Sequence, residues 1–187
     1  MRRLLVSISI MLFLLGCGSS GNNAQTSDEL EQFTVEDTSV EVEKGPFIYR
    51  LVTEKKSYTV GSDIDLYAEL EYVGDQEEMT IYHAASPFIF HVEEKTRDYV
   101  IGYAMNEPLL HTVLKKGEPL REKYTKSGGY GSEDNEDYIA FMKDFLNNGF
   151  PIGFYEIKGI AEFFTQNNKE EQTEFLMEGT VEFKVVE

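Results

Sequence analysis

The sequence predicts a mainly β protein: a single antiparallel β-sandwich with one short helical insertion. Three observations carry that prediction. After Gly45, apolar and polar residues alternate with a period of two over about eight short segments, the pattern of strands with one packed and one wet face. Turns separate these segments at intervals of roughly eight to twelve residues, the spacing of antiparallel sandwiches. One stretch, residues 132–151, departs from this rhythm and shows helical spacing.

The clearest strand is DIDLYAELEYV (63–73), which sets Ile64, Leu66, Ala68, Leu70 and Tyr72 on one face against Asp63, Asp65, Glu69 and Glu71 on the other. EEMTIYH (77–83) follows, then PFIFHVEE (87–94), with Phe88, Phe90 and Val92 in phase. YVIGYA (99–104) and two weaker segments, LLHTVL (109–114) and LREKYT (120–125), come next. In FYEIKGIAEFF (154–164), Tyr155, Ile157, Gly159, Ala161 and Phe163 alternate with Glu156, Lys158 and Glu162. The last segment, MEGTVEFKVV (177–186), turns Met177, Val181, Phe183 and Val185 inward. The helical stretch carries Tyr138, Phe141, Met142 and Phe145 at three- and four-residue spacing. Ser132 or Asp134 is placed to cap its start, where the helix dipole favours the acids that follow. Gly149 closes its end and Pro151 forbids continuation.

Ahead of the domain lie two segments of different character. Arg2 and Arg3 precede an apolar run, Leu4 to Leu15. That run is short of the roughly 20 residues needed to cross a bilayer. A positive end, a short apolar middle and small residues at the exit are the build of a secretory signal peptide. Residues 18–44 are polar, acidic and poor in large apolar groups, the composition of a flexible tether, with Phe33 to Val35 as its one candidate for a short strand. The expected organisation is therefore a signal peptide over 1–16, a tether over 17–44 and one sandwich over 45–187 with its helical insert at 132–148. About 140 residues suffice to bury roughly two thirds of the unfolded chain's surface in one core.

Cys17 is the chain's single cysteine. Leu14-Leu15-Gly16-Cys17 resembles the lipobox of bacterial lipoproteins. The resemblance implies cleavage between Gly16 and Cys17 and a diacylglycerol on the Cys17 sulfur, with the freed amine of Cys17 open to acylation. Two acyl chains anchor a protein stably where one does not. The implied location is the outer, extracytoplasmic face of a cell membrane, on a Gram-positive cell, with no disulfide available to the mature domain.

Two further patterns resemble extracytoplasmic immunoglobulin-like domains of bacteria. Leu114-Lys-Lys-Gly117-Glu118 resembles the loop before a mid-sheet strand. Pro151-Ile-Gly153-Phe-Tyr155-Glu-Ile157 resembles the Pro-x-Gly-x-Tyr start of the penultimate strand, where the tyrosine bonds back to nearby backbone as a corner. The ordering is similar to that of the intracellular proteinase inhibitors of Gram-positive bacteria. This chain departs from that family in its export signal and in the insert between the two patterns, so no inhibitory residue carries over.

Charge and motifs narrow the function. Removing residues 1–16 deletes Arg2 and Arg3 and no acid, which takes the formal charge from −17 to −19. Nucleic acid and anionic headgroups both require clustered Lys and Arg, so neither is an expected partner. The chain contains no Gly-x-Ser-x-Gly, Ser-x-x-Lys or His-Glu-x-x-His. Its three histidines, His83, His91 and His111, lack a carboxylate or cysteine at ligand spacing. His83 falls in phase with Met79 and Ile81; His91 falls on the wetter face. Glu133 to Asp137 lacks the central glycine and distal glutamate of a calcium loop. No metal, cofactor or catalytic residue is assigned, and oligomeric state is left open. Among 13 Phe and 11 Tyr, most are in phase with strand interiors, while Tyr67, Tyr82 and Tyr130 fall on outer faces or in the glycine-rich loop. Outward tyrosines suit a sugar or peptide surface.

The expected function is thus a non-enzymatic, membrane-anchored binding module. Its partner is a protein or the cell wall, met through residues 127–150 and adjacent loops. The alternative is an inhibitor of extracellular or envelope proteases. Replacing Cys17 with Ala is expected to abolish acyl labelling, with release from the membrane fraction or persistence of uncut precursor. Acyl labelling with fractionation checks this, and a variant acylated and processed like its parent overturns it.

Overall fold

The computed structural model describes residues 29–187 apart from Asn168. These residues form eleven strands and the helix α1. The strands are β1 (Ser39–Lys44), β2 (Phe47–Thr53), β3 (Ser57–Thr59), β4 (Leu66–Tyr72), β5 (Glu78–His83), β6 (Phe88–Glu94), β7 (Tyr99–Ile101), β8 (Leu110–Lys115), β9 (Leu120–Lys123), β10 (Gly153–Gln166) and β11 (Gln172–Val186). α1 spans Glu136–Asn148. The smaller sheet has the order β1-β2-β4-β9. The larger runs β3-β11-β10-β5-β8, with β6 also on β10 and β7 on β6.

The alternating strands pack their apolar faces together across one core. β2 contributes Phe47, Tyr49 and Leu51, β4 contributes Leu66, Ala68 and Leu70, and β10 and β11 contribute Tyr155, Ile157, Val181 and Phe183, all fully buried. Phe47 meets Phe163 and Phe175 edge-on at 4.9 and 4.8 Å, joining the two sheets with favourable aromatic geometry. The outer face of the smaller sheet carries a charge row instead. Glu41 opposes Arg50, Arg50 opposes Glu69, and Glu69 opposes Arg121 on four successive strands. Glu69 is only 6% exposed because Arg121 Nε, donating at 2.6 Å, and Arg50 flank it. Opposite charges placed directly across strands stabilise the pairing.

Several expectations hold and several need correction. β10 is the penultimate strand, and the Tyr155 hydroxyl donates to the Pro151 carbonyl at 2.7 Å, the expected corner bond. Gly153 is required there because a Cβ would collide with the buried Glu94 carboxylate. That carboxylate accepts from the amides of Thr96 and Arg97, both at 3.0 Å. The sheets are not wholly antiparallel, since β3 lies parallel to β11. Leu114 to Glu118 leads into β9, which is an edge strand of the smaller sheet rather than a central one. Its Gly117, at φ +75°, makes the reversal that carries the chain between sheets, its amide donating to the Tyr72 carbonyl at 2.9 Å. The helix cap is Asn135, whose side chain accepts from the Asp137 amide, rather than Ser132 or Asp134. The Asp134 carboxylate instead accepts from the Gly131 amide.

The folded region also begins before Gly45. Residues 39–44, expected in the tether, form β1, where Val40 and Val42 pack on the core between outward acids. Residues 30–37 make no strand, but Leu30 and Val35 are buried beside Phe154, and Phe33 stacks on that ring at 4.8 Å. Lys184 Nζ donates to the Leu30 carbonyl at 2.9 Å, and Lys56 Nζ to the Val35 carbonyl at 3.0 Å. A few spaced apolar residues thus dock a segment whose composition is otherwise that of a linker.

Burial pushes the Tyr49, Tyr124 and Tyr155 hydroxyls well above their ordinary value of 10.0. The Tyr49 hydroxyl, at Gly159, finds no hydrogen-bond partner among the described residues. In each case the folded chain holds the proton more tightly than the unfolded chain. The stability is complete below pH 10 and is lost as pH rises beyond it, by about 1.4 kcal/mol per pH unit for each tyrosine. Tyr49→Phe is expected to reduce that alkaline slope by one tyrosine's share, and to leave neutral-pH stability unchanged or raised by about 1 kcal/mol. Urea unfolding between pH 7 and 11.5 checks both; an unchanged slope contradicts the assignment.

Candidate functional site

β10 and β11 outrun their neighbours, and the overhang creates a site. β6 pairs with β10 from Glu94 to Phe88, ending opposite Ala161. β5 then takes over on the same edge, with Tyr82 opposite Phe164. Between them the chain reverses at residues 84–87, anchored where the Glu162 amide donates to the Pro87 carbonyl at 2.8 Å. The connection from β7 to β8 returns past this reversal. Its Tyr103 hydroxyl donates to the Phe88 carbonyl at 3.3 Å, and Ala85 donates to the Asn106 carbonyl at 3.2 Å.

An open cleft of about 670 Å³ lies among these parts, lined from β5, β10, β11 and residues 105–109. The Tyr82 and Phe164 rings stack in it at 5.1 Å with an interplanar angle of 13°. Leu109, 71% exposed, and Leu176, 50% exposed, line it as well. Phe163 and Phe175, stacked at 5.1 Å and buried on the core side of the hairpin, also border it. Its charged lining is Glu107, Glu162, Glu174 and Lys44, and Lys44 Nζ donates to the Leu176 carbonyl at 3.2 Å. An exposed apolar surface with a polar rim is the chemistry of a binding site.

The three expected tyrosines are not brought together. Tyr82 lies in the cleft, on the outer face of the larger sheet. Tyr67 faces outward from the smaller sheet but is only 8% exposed. The Arg121 guanidinium covers its ring at 4.1 Å, and its hydroxyl donates to Glu54 at 2.8 Å. Tyr130 is exposed in the loop before α1, with Lys143 Nζ 5.7 Å from its ring centre.

Nor do the histidines pair. His83 points inward, its Nε2 2.8 Å from Thr112 Oγ1, while His111 lies outward beside Tyr82 at 6.2 Å. His91 is on β6, edge-on to Tyr103 at 6.3 Å. Among the described residues no group of three or more His, Cys, Asp or Glu is placed to hold a metal ion. Gly16 and Cys17 lie outside the described residues.

The insert belongs to the core. Phe141, Met142 and Phe145 of α1 are buried, and Phe145 meets Phe150 at 5.1 Å. Lys126 Nζ donates to the last-turn carbonyls of Phe145 and Leu146 at 3.1 and 3.2 Å, complementing the negative helix end. The cleft residues that the sequence reading passes over carry a recognisable signal. Apolar runs, Phe163-Phe164 and Phe175-Leu176-Met177, interrupt the alternation and force one member of each, Phe164 and Leu176, outward.

Comparison with protein-family models, with curated proteins and with solved structures finds no match to this chain. Because the insert is core, Phe145→Ala is expected to cost about 3–4 kcal/mol and deletion of residues 127–150 to leave no cooperative unfolding transition. Calorimetry of both variants checks this; a deletion that still melts cooperatively shows the insert to be an appendage.

Proposed function

We propose that the protein is a lipid-anchored extracytoplasmic lipoprotein whose domain, an immunoglobulin-like sandwich, acts as a binding module for a protein partner through the β5–β10–β11 cleft. The lipobox-like Leu14-Leu15-Gly16-Cys17 supports the anchor and the location. The Tyr155 to Pro151 bond at the start of β10 supports the immunoglobulin-like assignment within the two-sheet fold.

One observation carries the binding role: Leu109 and Leu176 stand exposed on the same cleft as the Tyr82–Phe164 pair. Surface leucines scattered singly need no explanation, but a contiguous apolar set within a concavity marks an interaction site. This moves the proposed surface from residues 127–150, which are anchored in the core by Phe141, Met142 and Phe145, to the overhang of the long hairpin. Tyr82 is the member of the expected tyrosine set that remains part of it.

The test is site-specific photo-crosslinking in intact cells. A benzophenone amino acid at Leu176 or Leu109 is expected to give one defined adduct, identified by mass spectrometry and lost on Tyr82→Ala. The same probe at Val60, exposed beside the opposite edge of the larger sheet, is expected to give none. No adduct from the cleft, or the same adduct from Val60, overturns the reading.

A further inference from the structure

The outer face of the β10–β11 overhang is a checkerboard. Glu162 stands opposite Leu176, and Phe164 stands opposite Glu174, so acid and apolar groups alternate along both strands and across them. Further along the same hairpin Glu178 is neutralised by Lys158, Nζ to Oε2 at 2.8 Å. Glu162, Glu174 and Glu107 have no ion pair among the described residues, and the cleft's one ammonium, Lys44, is engaged by the Leu176 carbonyl. The cleft therefore presents three carboxylates against a single ammonium, with Glu162 and Glu174 interleaved with apolar side chains, on a chain whose formal net charge is −17.

We infer that the occupant of this cleft is an extended polypeptide segment presenting a lysine or arginine next to an apolar side chain. The inference rests on the reading of the cleft as the binding site and specifies what enters it. Lysine and arginine lay a methylene stem on apolar surface while the charged head reaches a carboxylate, and Phe164 and Leu176 lie directly beside Glu174 and Glu162 for that purpose. The neighbouring apolar residue has Leu109 to pack on. A sugar is disfavoured because Tyr82 and Phe164 stack on each other, which occupies one face of each ring. An anionic lipid surface is disfavoured by the carboxylates.

The experiment measures fluorescence anisotropy of the full chain in detergent micelles with four capped hexapeptide mixtures. Each has a fixed central pair, Lys-Leu, Arg-Leu, norleucine-Leu or Glu-Leu, and mixed residues elsewhere. The Lys and Arg mixtures are expected to bind at least about tenfold more tightly than the norleucine mixture and to weaken in 0.5 M salt, with the Glu mixture weakest. The double variant Glu162→Gln/Glu174→Gln is expected to reduce the basic mixtures to the norleucine level while keeping the parent's unfolding midpoint, since both residues are exposed. Equal binding of the norleucine or Glu mixtures, or a double variant that binds the basic mixtures like the parent, overturns the inference. If the Leu176 photo-adduct forms but the Lys and Arg mixtures neither bind nor compete with it, this inference fails and the cleft reading stands. If that adduct is absent, the cleft reading itself fails.

Discussion

β10 pairs with β11 along all 14 of its residues, from Gly153 opposite Val185 to Gln166 opposite Gln172. The larger sheet is assembled around that one hairpin: β3 adds to β11, while β6 and β5 share the other edge of β10. The core follows from the same pairing, because Tyr155 and Phe183 stack across it at 5.3 Å and Phe163 and Phe175 at 5.1 Å. Aromatic pairs in these geometries add to the area they bury, which matters in a chain that has no tryptophan and a single cysteine. The hairpin also makes the cleft, since its distal part extends past the end of β6.

The acidic surface is organised in two ways. On the smaller sheet the acids are neutralised across strands, Glu41 and Glu69 by Arg50 and Arg121 in direct register. On the overhang of the larger sheet Glu162 and Glu174 form no ion pair among the described residues, and the one nearby ammonium, Lys44, is bonded to the Leu176 carbonyl. The first arrangement stabilises a sheet whose outer face is polar; the second leaves a local field to be met from outside. Net charge alone does not distinguish these arrangements, because it sums over both.

Much of the fold is legible in the sequence and the site much less so. Period-two alternation identifies β4, β5, β6, β10 and β11, and the three- and four-residue spacing of Tyr138, Phe141, Met142 and Phe145 identifies α1. The Tyr155 corner is legible only through the resemblance of Pro151-Ile-Gly153-Phe-Tyr155 to the Pro-x-Gly-x-Tyr pattern; burial alone does not identify it, since the Tyr49 hydroxyl is buried without a partner among the described residues. β2 escapes notice because Ile48 and Val52 make its second face apolar too, which blurs the alternation of Phe47, Tyr49 and Leu51. β1 is obscured by its acids, and the docking of Leu30 and Val35 depends on Phe154, far away in the chain. For the site, Tyr67 and Tyr82 look equivalent in sequence, both out of phase with the core. Register separates them: Tyr67 falls opposite Lys123 and beside Arg121, which covers it, whereas Tyr82 falls opposite Phe164 at the end of β6.

The parallel pairing of β3 with β11 ties Ser57 to Lys184 and Thr59 to Val186, so the larger sheet is completed only when β11, the last of the eleven strands in chain order, joins it. Until β11 is available, β10 has only β6 and β5 along its other edge, and Tyr155 and Phe163 lack the rings they stack on. Loop closure over such separations slows folding. With this order of strands the smaller sheet, whose members all precede Tyr124, is available to pair before the larger sheet can close on β11.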